Sequence, residues 1–262
     1  MMKLLCLGTG AADWTDKDRV PGPAWRNFTS TLMDGTLLVD PGPHIFRFAA
    51  EHGMPNLFDN VTDVLVTHSH GDHFSPTVVK TLWEKKPRRL IGGFGCMQRL
   101  TEYDPFLAAE VNYTALKPFE GTTAAGFDIF TLPANHSTAV PGEIPFHYIL
   151  QKDGKSLYYG LDGAWMLRES WNAFRKWAHF DAMILDSTIG DGEGDFRIFE
   201  HNNLRMVEEM VLTFRKLGTL KPDGKVYADH MAKTLHTDHE TLVNRLAPSG
   251  ITPCYDGMEI EV

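Results

Sequence analysis

Val64-Leu65-Val66-Thr67-His68-Ser69-His70-Gly71-Asp72-His73 joins a short apolar run to three histidines and an aspartate packed into six residues. Such a run reads as a buried strand. Imidazole nitrogen and carboxylate oxygen are the donors a borderline divalent ion such as zinc prefers. Histidines two apart in extended backbone project to the same side, so His68 and His70 are expected to share an ion. Asp72 and His73, after the glycine, are then expected to turn toward a second one. A solvated His-rich loop would account for any two of these residues, but not for all four at a strand end.

Around this stretch, strand-like runs recur at Lys3–Leu7, Ser30–Met33, Thr36–Val39, Asp63–Thr67, Arg89–Gly92, Phe127–Leu132, Phe146–Gln151, Ser156–Gly160, Ala182–Asp186, Lys225–Ala228 and Met258–Val262. Helical patterns fall at His44–His52, Ser75–Trp83, Leu167–Trp177, Asn203–Lys216 and Asp238–Leu246. Leu204, Val207, Met210, Val211 and Phe214 repeat at helical spacing. Asp34-Gly35 and Lys152-Asp153-Gly154-Lys155 predict hairpin turns. No repeat, charge run or low-complexity linker interrupts the pattern, so residues 1–262 are expected to form one α/β domain. The main irregular stretch is Ala11–Asn27, with Trp14, Pro21, Gly22, Pro23, Trp25 and Arg26. Its tryptophans either cap the core or wall a ligand pocket.

Composition narrows the function. Of 262 residues, 43% are hydrophobic and 23% charged, the balance of an ordinary globular chain. A net charge of -9 lacks the basic footprint that long nucleic acid requires, while leaving room for a local pocket for a small phosphate. Cys6, Cys96 and Cys254 form no C-x-x-C pair and read as reduced thiols. The apolar start breaks at Gly8 too soon for a signal peptide. No apolar run approaches the roughly 20 residues of a membrane span. A cytoplasmic location without a membrane partner is therefore expected.

Two ions need more ligands than one motif supplies. His136, Asp162 and His230 each stand where an apolar strand runs out, and ligands on several strand ends can converge on one sheet edge. His236 and His239 compete with His230, but the strand Lys225–Ala228 ends beside His230, which is preferred. His44, His52, His147 and His179 show no ligand context.

With these residues in view, the chain resembles the metallo-β-lactamase-fold hydrolases along nearly its whole length. Thr67-His68-Ser69-His70-Gly71-Asp72-His73 is similar to the T-H-x-H-x-D-H signature, and Leu7-Gly8-Thr9-Gly10 and Leu37-Leu38-Val39-Asp40-Pro41-Gly42 look like further family segments. The resemblance implies a four-layer αββα sandwich with a metal site at one edge. It also implies two divalent ions, Zn2+ or Mn2+: one held by His68, His70 and His136, the other by Asp72, His73 and His230, with Asp162 bridging. Asp40 and Asp186 would orient ligand imidazoles.

Within the family, Asn135-His136-Ser137, His201-Asn202-Asn203-Leu204 and Tyr255-Asp256-Gly257-Met258-Glu259-Ile260 resemble the phosphoribosyl cyclic phosphodiesterases associated with carbon–phosphorus lyase. Those enzymes look to carry a cysteine cluster for a structural zinc in the first long loop. Ala11–Asn27 has no cysteine, so no such zinc is expected there.

The resemblance implies hydrolysis of a small phosphodiester, cyclic nucleotide-like or built on a sugar, by a water activated between the ions. His201 would be the general acid, and Asp72 would both ligate and steer the water. Lys233 and Arg26 are candidate phosphate clamps, but such side chains are usually solvated, and both stand outside the expected site. Trp165 either packs in the core or covers a base or sugar. The competing readings are hydrolysis of a carboxylic ester, lactone or thioester, a tRNA 3′-processing ribonuclease, and a non-catalytic scaffold. A homodimer is the one self-association kept open.

Overall fold

Alternating burial along short strands builds two seven-stranded sheets in the computed structural model, which describes residues 1–19, 22, 24–86, 88–177 and 179–262. Val20, Pro21 and Pro23 of the long early loop lie outside the described residues. The first sheet contains β1 (Lys3–Gly8), β2 (Ser30–Met33), β3 (Leu37–Val39), β4 (Asp63–Leu65), β5 (Arg89–Gly92), β6 (Asn112–Ala115) and the last strand, β14 (Glu259–Glu261), in the order β14-β1-β2-β3-β4-β5-β6. The second contains β7 (Gly121–Ala124), β8 (Phe127–Pro133), β9 (Phe146–Lys152), β10 (Lys155–Gly160), β11 (Phe180–Asp186), β12 (Leu220–Asp229) and β13 (Ile251–Pro253), in the order β13-β12-β11-β10-β9-β8-β7.

Where hairpins connect neighbours the pairing is antiparallel, including the turns at Asp34-Gly35 and Asp153-Gly154. β3 through β6, and β10 through β13, pair in parallel because longer crossovers intervene. Period-two alternation then sorts side chains into layers. Leu37, Val39, Leu150, Leu157 and Tyr159 meet between the sheets. Leu38 packs outward with Phe48 of α1 (Ile45–Glu51), Val79 of α2 (Pro76–Lys85) and Leu100 of α3 (Phe94–Tyr103). Ile149 and Tyr158 pack outward with Phe174 of α5 (Arg168–Phe174), Val207 of α6 (Leu204–Lys216) and Leu242 of α7 (His239–Leu246). The result is the expected αββα order.

Several elements depart from the sequence expectation. α3, α4 (Pro105–Glu110), β6, β7 and β13 were not foreseen. α4 buries no side chain and β6 is exposed or half-buried throughout, so neither leaves a clear hydrophobic period. β4 stops at Leu65, not Thr67. The Thr67 backbone N–H donates to Asp40 Oδ1 rather than to a strand, which ends the ladder and frees the histidine-rich segment as a loop.

Candidate metal centre

Parallel strands place their carboxyl ends on one edge, where ligands gather in open α/β sheets. Asp40, Asp162 and His230 each follow such an end, and all three have left-handed φ values of 56°, 54° and 59°. That conformation is costly for residues with a Cβ and is found where surrounding structure enforces it, often at functional sites. At each position it turns the chain sharply so that the side chain faces the common edge. Gly42 permits the closest approach there: a Cβ on it would lie 2.3 Å from the Asp72 carbonyl oxygen.

The seven residues expected from the sequence to be ligands converge in two groups. In the first, His68 Nε2 lies 2.9 Å from His70 Nδ1, and His136 Nε2 lies 3.2 Å from the same atom. Asp162 Oδ2 is 3.2 Å from His68 Nε2 and 3.4 Å from His136 Nε2. In the second, His73 Nε2 is 3.1 Å from His230 Nε2, and both stand 3.6 Å from Asp72 Oδ2. Asp162 Oδ2 reaches this group too, 2.9 Å from His73 Nε2. Four donors about 2.0–2.1 Å from a tetrahedral ion are about 3.3 Å from one another, close to these spacings. Asp162 thus stands in both groups.

The electrostatics fit cations. Burial holds His68, His70 and His136 below the ordinary histidine range, aided by neighbouring imidazoles, which keeps them in the neutral, lone-pair form. Burial opposes charge on His73 and His230 as well, but the Asp162 and Asp72 carboxylates outweigh it and raise both, His230 to about 10. Burial likewise opposes the charge on Asp72, yet His73 and His230 hold it below the usual carboxylate range. Asp162 Oδ1 is buried and accepts no well-directed hydrogen bond, although His230 Nδ1 is 2.9 Å away. Three neutral imidazoles and a cage of carboxylates, with the buried Asp162 Oδ1 lacking a directed hydrogen bond, make a donor set that suits divalent ions.

Around these groups, Asp40 Oδ2 lies 2.9 Å from His73 Nδ1. Thr67 Oγ1 is 3.0 Å from His68 Nδ1, and His136 Nδ1 is 3.0 Å from the Glu200 carbonyl oxygen. Asp186 Oδ2 lies 2.9 Å from His201 Nδ1 and 3.7 Å from His230 Nδ1, so its closer charge is His201 rather than a proposed ligand. Burial disfavours charge on His201, but Asp186 more than offsets it and raises the imidazole above its ordinary range. The His201 ring sits 4.8 Å from that of His136. Asp162, Asp186, His201 and His230 form a further cluster compact enough for an ion. The groups open into a cleft of about 430 Å3 lined by Ala11, Asp13, Gly71, Arg197, Glu200 and Thr234 among others.

Two residues belong to the site that the sequence does not flag. Thr188 Oγ1 lies 3.0 Å from Asp186 Oδ2, 2.8 Å from His230 Nδ1 and 3.1 Å from His201 Nδ1. His147, read as ordinary, is buried with Nε2 3.3 Å from the Asp162 carbonyl oxygen and supports that turn. Neither carries a motif; only its place after a strand end or beside a turn could have flagged it. Arg26 does not face the cleft. It is buried, donating from Nη1 to Thr9 Oγ1 and the Cys254 carbonyl, and lines a separate small pocket with Trp25, His239 and Tyr255. Lys233 places Nζ 5.5 Å over the Trp25 ring. His236 Nε2 is 2.5 Å from the Ser187 carbonyl oxygen, outside both ligand groups. Trp165 is 48% exposed beside Met166 and Trp171, neither in the core nor on the cleft.

Residues 36–231 match the family model described as "Beta-lactamase superfamily domain". No curated protein matches the sequence. Similar solved structures include a diphosphatase from the PhnP family, at 19% identity and a TM-score of 0.76, covering 100% of this chain and 98% of that one. Zn2+-bound PqqB from Methylobacterium extorquens aligns at 16% identity and a TM-score of 0.74, covering 99% and 100%. Human tRNase Z, short form, aligns at 18% identity and a TM-score of 0.69, covering 99% of each chain. At these identities the likeness shows the shared fold.

Proposed function

Because the chain belongs to the beta-lactamase superfamily and has the fold of its metal-dependent hydrolases, we propose that it is a phosphodiesterase acting on a small, cyclic nucleotide-like or sugar phosphodiester. His68, His70 and His136 would hold one divalent ion, Asp72, His73 and His230 a second, and Asp162 would contribute to both. Zinc and manganese both suit this donor set. When bound, such ions supply Lewis acidity and neutralise charge developing on a phosphoryl group.

The chain's own groups divide the remaining work. Asp40 fixes the ring of His73, Thr67 that of His68, and the Glu200 carbonyl that of His136, which preorganises the ligands before any ion arrives. Asp72 lines the cleft and orients the attacking water. His201 gives a proton to the departing alkoxide, so that water adds to phosphorus as the phosphorus–oxygen bond breaks and an alcohol leaves. Its Nδ1 is taken up by Asp186 and Thr188, which leaves Nε2 to serve the cleft.

The observation that carries this reading is that His201–Asp186 pair, beside His136 at the mouth of the ligand groups. A poor leaving group needs a proton donor, and a general acid held this way supplies one. The net charge of -9 supports a small substrate over long nucleic acid. The test is a parallel assay of the metal-loaded protein on bis-p-nitrophenyl phosphate, a cyclic nucleotide and a lactone. Turnover of the phosphodiesters is expected. Turnover of the lactone alone, or tight salt-sensitive binding of tRNA, would overturn the proposal.

A further inference from the structure

Another group of side chains able to ligate a metal ion lies inside the protein, apart from the cleft. Cys6 on β1, Asp229 at the end of β12 and Cys254 just after β13 each bring one donor atom within 4.8 Å of the others, and all three residues are fully buried. The strands come from both sheets, so the cluster spans the sandwich. Two thiol sulfurs and a carboxylate oxygen held about 2.3 Å and 2.0–2.2 Å from one ion would be separated by under 4 Å, within this spacing.

Asp229 gives the independent sign of a missing partner. Its Oδ1 accepts the His230 backbone N–H at 2.6 Å, whereas Oδ2 is buried with no hydrogen-bond partner. An orphaned carboxylate oxygen among core side chains is costly unless it is protonated or coordinated. The buried Arg26 guanidinium stands beside this group, its Nη1 donating to the Cys254 carbonyl at 2.7 Å.

We propose that Cys6, Cys254 and Asp229 form a structural site for a thiophilic divalent ion such as zinc, tying β1 to the strand end that presents His230. The three thiol and carboxyl protons leave as the ion enters, and no redox change is involved. Because Asp229 immediately precedes His230, filling this site fixes the turn from which that imidazole projects.

The test needs no enzymatic activity and so stands apart from the phosphodiesterase reading. Full-length protein is stripped of metal under reducing conditions, reloaded with cobalt(II), and scanned for thiolate-to-metal charge-transfer absorption. The histidine and aspartate groups of the cleft hold no sulfur and give none. Wild type is expected to show the band and to bind one more ion per chain than Cys6→Ser/Cys254→Ser, which should lack the band. Absence of the band in wild type overturns the proposal whether or not the double variant folds. An equal ion count in the two proteins, or a Cys6–Cys254 disulfide in protein isolated without reductant, overturns it as well.

Discussion

The Ser69 hydroxyl donates to Glu143 Oε2, and the Arg99 guanidinium donates to the Ser69 carbonyl. Ser69 stands between His68 and His70, so two residues far away in sequence clamp the histidine loop from behind. The Glu143 carboxylate lies against Gly95 in the first turn of α3, where a Cβ would approach it to 2.3 Å. Replacing Glu143 by Ala should weaken divalent-ion affinity about 10–100-fold. Gln keeps an acceptor and should retain most of it. A chelator-competition titration checks both, and equal affinity in wild type and E143A would refute the clamp.

His201→Gln should lower kcat by about 10²–10⁴-fold on substrates with alkoxide leaving groups. With a p-nitrophenolate leaving group, which departs without a proton, the loss should be far smaller. Steady-state kinetics on a matched pair of diesters reads the difference. An equal loss on both would assign His201 to binding or structure rather than to proton transfer.

Gly42→Ala should displace the Asp72 carbonyl, since the new Cβ would lie only 2.3 Å from that backbone oxygen. The expected cost is about 1–3 kcal/mol of stability, with loss of the second ion before the first because Asp72 and His73 belong to that group. Thermal unfolding and metal analysis of the variant test the order of loss.

How much of this was legible follows from how local each signal is. The histidine loop was readable because four candidate ligands fall within six residues, and His136, Asp162 and His230 because each follows an apolar strand. Asp40 was readable for the same reason. Thr188, His147 and Glu143 were not: their roles arise from hydrogen bonds across turns distant in sequence, which no periodicity encodes. α4 and β6 escaped because an element that buries little leaves little hydrophobic pattern. Arg26 was ambiguous because a guanidinium in a loop reads the same whether it meets a substrate or, as here, backbone carbonyls and a threonine.

Arg245 joins α7 to α6 through a bidentate pair with Glu208, at 2.7 and 3.0 Å. The hydrogen bonds from Arg245 hold the Glu208 carboxyl below the usual range. A depressed carboxylate contributes stability above its unfolded pKa of about 4.3, and the contribution is lost as pH falls through the folded value. Glu208→Gln should therefore cost less than about 1 kcal/mol at neutral pH. The gap from wild type should close below about pH 4. Denaturant melts across that range measure it, and a gap that persisted in acid would contradict the ion-pair origin.

The most direct measurement is anomalous diffraction from crystals of the zinc- or manganese-loaded protein. Two peaks are predicted, about 3.5–4 Å apart, one among His68, His70 and His136, the other among Asp72, His73 and His230, with Asp162 between them. No peak at either group, or a lone peak among Asp186, His201 and His230, would contradict the dinuclear centre.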